Sequence, residues 1–283
     1  ITSFISHFPF DTRAINKLNT FVPRSKTAIF INNYFFKDNP FLCMFVYSMS
    51  MKRGDIIIAV DGHSSTGKST LARKIAAKYG LVYVDTGALY RGVTLAALRE
   101  GIMPETGESE ISGLERLLGK CSFVFLNSGE RGESELYLNN ENIEREIRSL
   151  EVASMVSLFA SIPKVREYVD SILKELGKKR GVVMDGRDIG TVVFPDADLK
   201  IFMTADPEVR ARRRFLEIEA RGEEANYDEI LRNVKERDYL DENRETAPLR
   251  KAVDALFLDN SNMTQEEEML WIERIIAQRW GSL

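Results

Sequence analysis

From Asp55 onward the apolar positions follow two alternating rhythms. "DIIIAV" is a short continuous β-branched run, as expected of a strand buried on both faces. "STLARKIAAKY" places Leu71, Ile75 and Tyr79 four residues apart on one helix face, and Gly80 supplies the stop. "LVYVD" predicts a second strand and "TGALYRGVTLAALREG" a second helix ending at Gly101. Residues 102–146 break this rhythm: "CSFVFLN" and "ELYLNNENI" predict two short strands around a "SGERGES" turn. Two helices, "SLEVASMVSLFASI" and "PKVREYVDSILKELG", follow, the second opened by Pro163. "GVVMDG" and "DLKIFMTA" are strands. "DPEVRARRRFLEIEARG" is a helix with Asp206 as N-cap and Pro207 at its first position. "NYDEILRNVKERDYLDENR" is a charged helix, "ALFLDNS" a last strand, and "TQEEEMLWIERIIAQRW" a closing helix opened by Thr264. Alternating strands and helices predict an α/β fold of about five parallel strands flanked by helices, with two inserts and no internal repeat.

The first fifty residues differ in kind. Nine of the 16 Phe fall there, with a net charge of +3 against −7 for the remainder of the 283-residue chain. "FLCMFVYSM" is too short and too late for an ordinary signal peptide, and no apolar run is long enough to span a membrane. Residues 1–50 read as an atypical extension, with a start at Met49 or Met51 expected. A poorly ordered extension or an aromatic partner-binding segment are the alternatives.

Charge and cysteines narrow the class further. The chain carries −4 overall, which argues against a general nucleic-acid binder. Cys43 and Cys121 stand far apart, so neither a disulfide framework nor a cysteine-rich metal site is expected, and a reducing cytoplasm suits the chain.

The chemistry begins at "IAVDGHSSTGKST". Gly62, His63, Ser64, Ser65, Thr66, Gly67, Lys68 and Ser69 fit G-x-x-x-x-G-K-[ST] between a strand and a helix. In that context successive backbone N–H groups make an anion nest at a helix N-terminus. Lys68 would reach the β- and γ-phosphates and the Ser69 hydroxyl would ligate Mg²⁺. Thr70 beside it is expected to pack on the helix or bond backbone, and His63 to be a solvated loop residue. The loop alone does not separate kinase, GTPase and ATPase, although guanine-reading N-K-x-D motifs are absent.

Arginines cluster at Arg210, Arg213 and Arg214, and again at Arg237 and Arg244. Arg237, Asp241 and Arg244 stand at i, i+4 and i+7, so one helix face would hold two guanidinium forks and a carboxylate. Such a face suits phosphates and ribose hydroxyls, and phosphoryl transfer needs cations around the group in flight.

These motifs together resemble the bacterial cytidylate kinase family of nucleoside monophosphate kinases. The resemblance runs from about Ile56 to the end, through "IAVDGHSSTGKST", "VDTGALYRGVTLAAL", "VMDGRDIGTVVFPDADLKIFMTA", "KERDYLDENRETAPL" and "LDNS". It implies a kinase domain over 51–283, with a core of 54–101 and 180–283. A nucleotide-binding insert would occupy about 102–179 and a helical lid about 210–248. It further implies that Arg91 and Arg187 clamp the acceptor phosphate, with Thr86 and Asp188 in the acceptor pocket. Ser157 and Arg166 match residues that read cytosine. Arg237 and Asp241 match lid contacts to the acceptor sugar. Arg244 matches a lid arginine between the two phosphates, and Arg213 one on the ATP side. His63 stands where the family commonly has proline, and Leu240 where a charged residue is frequent.

The implied activity is transfer of a phosphoryl group from ATP, with Mg²⁺, to CMP or dCMP in pyrimidine nucleotide metabolism. Lys68, Arg187, Arg237 and Arg244 would carry the transfer in a monomeric cytoplasmic enzyme without nucleic-acid or membrane partners. A kinase of UMP or of a non-nucleotide such as shikimate is the alternative, followed by a P-loop regulator that docks a partner through its aromatic N-terminus.

Overall fold

The computed structural model describes residues 28–31, 55–104, 108–127, 134–222 and 224–280. Five strands form one parallel sheet: β2 (Ile57–Gly62), β3 (Val82–Asp85), β7 (Val182–Gly186), β8 (Leu199–Thr204) and β9 (Leu256–Asp259), in the order β3-β7-β2-β8-β9. Every neighbouring pair in it is parallel. The central strand shows why this sheet must be covered twice. Ile57 and Ala59 pack into one apolar cluster, whereas Ile56, Ile58 and Val60 pack into the other. An alternation with no polar member leaves no face for water.

Helices cover both faces. α1 (Lys68–Tyr79) and α8 (Gln265–Trp280) close one side through Leu71, Ile75, Ile272 and Ile276. α2 (Thr86–Arg99), α3 (Glu108–Leu118), α4 (Leu150–Phe159) and α5 (Pro163–Gly177) build the other, with Leu89, Leu114, Phe159 and Leu173 buried between them. Phe123 and Phe159 are fully buried there, each side chain contributing about 1.5–3 kcal/mol of apolar transfer energy. A smaller antiparallel sheet stands beside this layer, ordered β1 (Ala28–Ile31), β4 (Phe123–Asn127), β5 (Ser134–Leu138) and β6 (Glu141–Asn142). The expected two-stranded excursion is therefore present as β4 and β5. Residues 1–27 and 32–54, with Met49 and Met51, lie outside the described residues, and only β1 of the extension is seen.

Three local expectations are corrected. α3 occupies a stretch with no helix expected, because Ser112 and Gly113 in its middle hide the Leu114 and Leu118 pair that buries it. Asp206 precedes α6 (Pro207–Ala220), but its side chain makes no capping hydrogen bond. Arg244 is not on the helix face of Arg237 and Asp241: α7 (Tyr227–Asn243) ends one residue before it, and Arg244 is extended at φ −63°, ψ 144°.

α6 and α7 pack against each other in the stretch expected as a lid. Its own apolar cluster is small, built on Ala211, Ile230 and Val234 with Phe215, Tyr227 and Leu231 beside them. Ion pairs tie its charged helices to the body, Asp241 with Arg187 and Glu242 with His63.

Candidate active site

The site lies along the carboxyl ends of the parallel strands, where α/β sheets place their ligands. After β2 the chain turns through Gly62 at φ 146°; a Cβ there would lie 1.9 Å from the Met203 carbonyl oxygen. Only glycine lets β2 and β8 pair so closely while the backbone enters the loop. Ser65 and Gly67 also take positive φ, at 59° and 92°. The loop thereby curls over the N-terminus of α1, which Gly67 caps without a side chain. Lys68 Nζ donates to the His63 carbonyl and, at 3.3 Å, to Thr66 Oγ1. Burial, then the nearby Arg187, brings the Lys68 ammonium down to about 7. Ser69 Oγ donates to Asp185 Oδ2 at 2.8 Å, and Tyr83 OH donates to the other Asp185 oxygen at 2.8 Å. Burial and the neighbouring Asp85 raise the Asp185 carboxyl. Thr70 is half-buried at the start of α1.

The loop also organises the strand end next to it. Asp61, buried at the end of β2, accepts from Ile189 N at 2.8 Å and Gly190 N at 2.7 Å. Burial pushes its carboxyl up to about 7. These bonds anchor a single wide turn, Ile189–Val193, in which Phe194 N donates to Ile189 O at 2.7 Å. Arg187 and Asp188 stand immediately before that turn.

A cavity of about 220 Å³ runs from this loop to the helices of the insert. Lys68 and seven arginines line it, among them Arg91, Arg166, Arg187, Arg237 and Arg244, against the four aspartates Asp85, Asp185, Asp188 and Asp241. Ser64, Ser65, Ser69, Thr86 and Ser157 also face it. The excess of four positive charges calls for an anion.

Several of these cations are held by a partner from another element. Arg91 donates to Asp85 at 2.9 Å, and Asp85 also caps α2 by accepting from Ala88 N. Burial would raise Asp85, but Arg91 and Arg148 hold it below the usual carboxylate range. Thr86 Oγ1 donates to the Asp185 carbonyl at 2.6 Å. Arg187 Nε donates to Asp241 Oδ2 at 2.7 Å, joining the turn after β7 to α7. Arg166 and Asp188, 3% and 4% exposed, form a buried ion pair. Arg166 also donates to Ala160 O at 3.1 Å and lies 5.4 Å from the Tyr90 ring centre. Arg244 Nη2 approaches Asp188 Oδ1 at 3.6 Å, and its Nε donates to Ala247 O at 2.8 Å.

Some of their donor atoms are left without a partner. Burial and the charge of Arg187 bring Arg237 down to about 10. Among the described residues Arg91 Nε, Arg237 Nε and Arg244 Nη2 are buried without a hydrogen-bond partner. Donors so placed in low dielectric are costly unless a ligand meets them.

Some expected residues sit elsewhere. Arg213 lies outside the cavity lining, where it donates to Asn260 Oδ1 at 3.1 Å, Asn260 O at 2.8 Å and Thr66 O at 3.4 Å, bracing the loop from behind. Arg210 of α6 pairs with Asp238 of α7 at 2.6 Å. His63 is not a solvated loop residue: its side chain is 13% exposed and bonds Glu242 at 2.7 Å. Arg214, noted in the arginine cluster, lines the cavity, and so do Arg148, Tyr90, Asp85 and Asp185, which were not picked out from the sequence. Asp185 was within reach of sequence reasoning, since "VMDG" ends a strand beside the loop. No spacing marks Arg148, which arrives from the insert.

A phosphate loop at the carboxyl end of a parallel sheet, facing a basic cavity lined in part by residues of α7, defines a P-loop kinase of small molecules. The family model described as cytidylate kinase matches residues 58–278. The cytidylate kinase of Parabacteroides distasonis is 51% identical over 217 residues, covering 77% of this chain and 94% of the relative. Those of Bacteroides thetaiotaomicron and Porphyromonas gingivalis are each 48% identical, over 218 and 228 residues; they cover 77% and 80% of this chain and 94% and 98% of their own. The chain belongs to the cytidylate kinase family. Its activity is ATP-dependent phosphorylation of CMP, and neither the shikimate and UMP kinases nor a P-loop regulator is favoured by these relatives. Among the described residues no helix is long and apolar enough to cross a membrane.

Proposed function

We propose that the two ends of the cavity divide the reaction, with ATP phosphates on the loop of Gly62–Ser69 and CMP or dCMP against Arg91, Arg187, Ser157 and Arg166. The observation that carries this reading is the row of buried, incompletely bonded guanidinium groups facing Lys68 across one cavity. The acceptor phosphate is a dianion, and the bidentate forks of Arg91 and Arg187 match it. Ser157 and the Arg166–Asp188 pair offer cytosine a hydroxyl, donors and an acceptor, and a base with the wrong edge would leave one of them unpaired. Asp241 and Arg237 suit the acceptor sugar.

An acceptor phosphate oxygen attacks the γ-phosphorus in line as the bond to the β-phosphate oxygen breaks, leaving ADP and CDP. The acceptor is already ionised, so no general base is needed. Lys68, Arg187, Arg237 and Arg244 supply the positive charge that the γ-phosphoryl oxygens require in transit. Ser69 Oγ and Asp185 Oδ2 offer hard oxygen donors 2.8 Å apart, and the buried Asp185 would gain from a cation nearby. These residues would hold Mg²⁺, which would neutralise charge on the ATP phosphates.

The test compares initial rates with CMP, dCMP, UMP, AMP and shikimate under saturating ATP. CMP and dCMP are expected to lead, and a faster rate with UMP refutes the base assignment. Arg244→Ala should lower turnover on the order of a hundredfold or more.

A further inference from the structure

The last turns of α7 carry three carboxylates that reach three different segments. Asp241 holds Arg187 on the acceptor side, at 2.7 Å. Asp238 and Glu242, four residues apart, share the face that meets the phosphate loop. Asp238 accepts both forks of Arg210, at 2.9 and 2.6 Å, and the same guanidinium reaches the Ser64 carbonyl at 3.3 Å. Glu242 touches the loop directly, through His63 Nε2 at 2.7 Å.

His63 is placed to transmit that contact. Its ring stands edge-on to Phe202, with centres 6.1 Å apart. Its Nδ1 is buried without a hydrogen-bond partner among the described residues, so the ring's polar anchor is Glu242. Its carbonyl accepts from Lys68 Nζ and, at 3.0 Å, from Thr66 Oγ1. One residue thus has a side chain fastened to the lid and a backbone fastened to the lysine of the loop. A shift of α7 away from the loop breaks the first bond and frees the segment that makes the second.

We propose that His63 and Glu242 are positioning residues that couple the lid helix to the phosphate loop, so that lid closure and ATP binding reinforce each other. This rests on the reading of the loop as the ATP site. The lid then senses both substrates with adjacent residues: Asp241 through Arg187 on the acceptor side, Glu242 through His63 on the donor side. Reciprocity follows, since whatever a docked lid contributes to ATP affinity, bound ATP returns to lid docking.

The test is a double-mutant cycle of His63→Ala, Glu242→Gln and the pair, with His63→Gln as a conservative variant that keeps a side-chain donor. ATP dissociation constants are measured without acceptor, and KM for ATP and for CMP in turnover. Each single substitution is expected to weaken ATP binding and raise KM for ATP about 3–10-fold, and the double to be no worse than the worse single. KM for CMP should stay within about twofold, and His63→Gln should recover most of the loss. Fold-changes that multiply in the double mutant, or singles that leave ATP binding unchanged, overturn the coupling. Because the ATP cycle is read without acceptor, its outcome is separate from that of the acceptor panel.

Discussion

The buried pair of Arg166 and Asp188 permits a prediction whose size follows from its surroundings. Asp188→Asn keeps the shape of the side chain and removes only its charge. The Arg166 guanidinium, 3% exposed, is then left with the Ala160 carbonyl at 3.1 Å and the face of Tyr90. Arg244 loses its ion-pair partner at 3.6 Å as well. Removing one member of a buried pair costs about 3–5 kcal/mol, and the surviving amide oxygen places this case near about 3 kcal/mol. For a domain of this size that corresponds to a melting point lower by roughly 6–12 °C. Thermal unfolding without nucleotide measures it, and CMP saturation kinetics measure the accompanying rise in KM. The double variant Asp188→Asn/Arg166→Met should regain much of the lost stability, because an apolar side chain of similar length needs no counter-charge. Melting of Asp188→Asn within about 2 °C of the parent, or strict additivity of the two substitutions, would refute the account of this pair.

Arg237→Met should move stability and activity in opposite directions: relief of a desolvated cation raises the melting temperature by a few degrees, roughly 1 kcal/mol, while turnover drops on the order of a hundredfold. Paired calorimetry and steady-state rates decide it, and a variant both less stable and fully active sinks the reasoning. Gly62→Ala should destabilise the fold by on the order of 3 kcal/mol, since its Cβ would stand 1.9 Å from Met203 O in a positive-φ backbone; an unchanged urea midpoint contradicts this. Cys121 is buried, and burial pushes its thiol up to about 11. Iodoacetamide at pH 8 should therefore leave it unmodified in the native protein and alkylate it in urea, as read by peptide mass mapping.

The parallel core and the phosphate loop were legible because their signals are local. A β-branched run, a glycine corner and a 3.6-residue rhythm sit within a few residues of one another. The resemblance extended that reading to Arg91, Arg166, Arg187 and Asp241, which the fold does bring to one cavity. What stayed hidden is pairwise and long-range. That Asp61 holds the turn after β7 depends on a strand register joining residues 128 apart. That His63 is fastened to Glu242 depends on two elements 179 residues apart. α3 was missed for a different reason: two poor helix formers sit where tertiary burial of Leu114 and Leu118 overrides propensity.

The pairing of Arg91 with Asp85 and Arg187 with Asp241 has a kinetic consequence. With the acceptor phosphate at these arginines, as proposed, it would not enter a bare cationic hole; it would replace internal carboxylates that already occupy the guanidinium groups. Acceptor binding would then be an exchange of anions, which favours a dianion over the singly charged ions of the medium. The same carboxylates would stand ready to reclaim the arginines as the product departs, so a site charged enough to hold a transferring phosphoryl group could still let its product go.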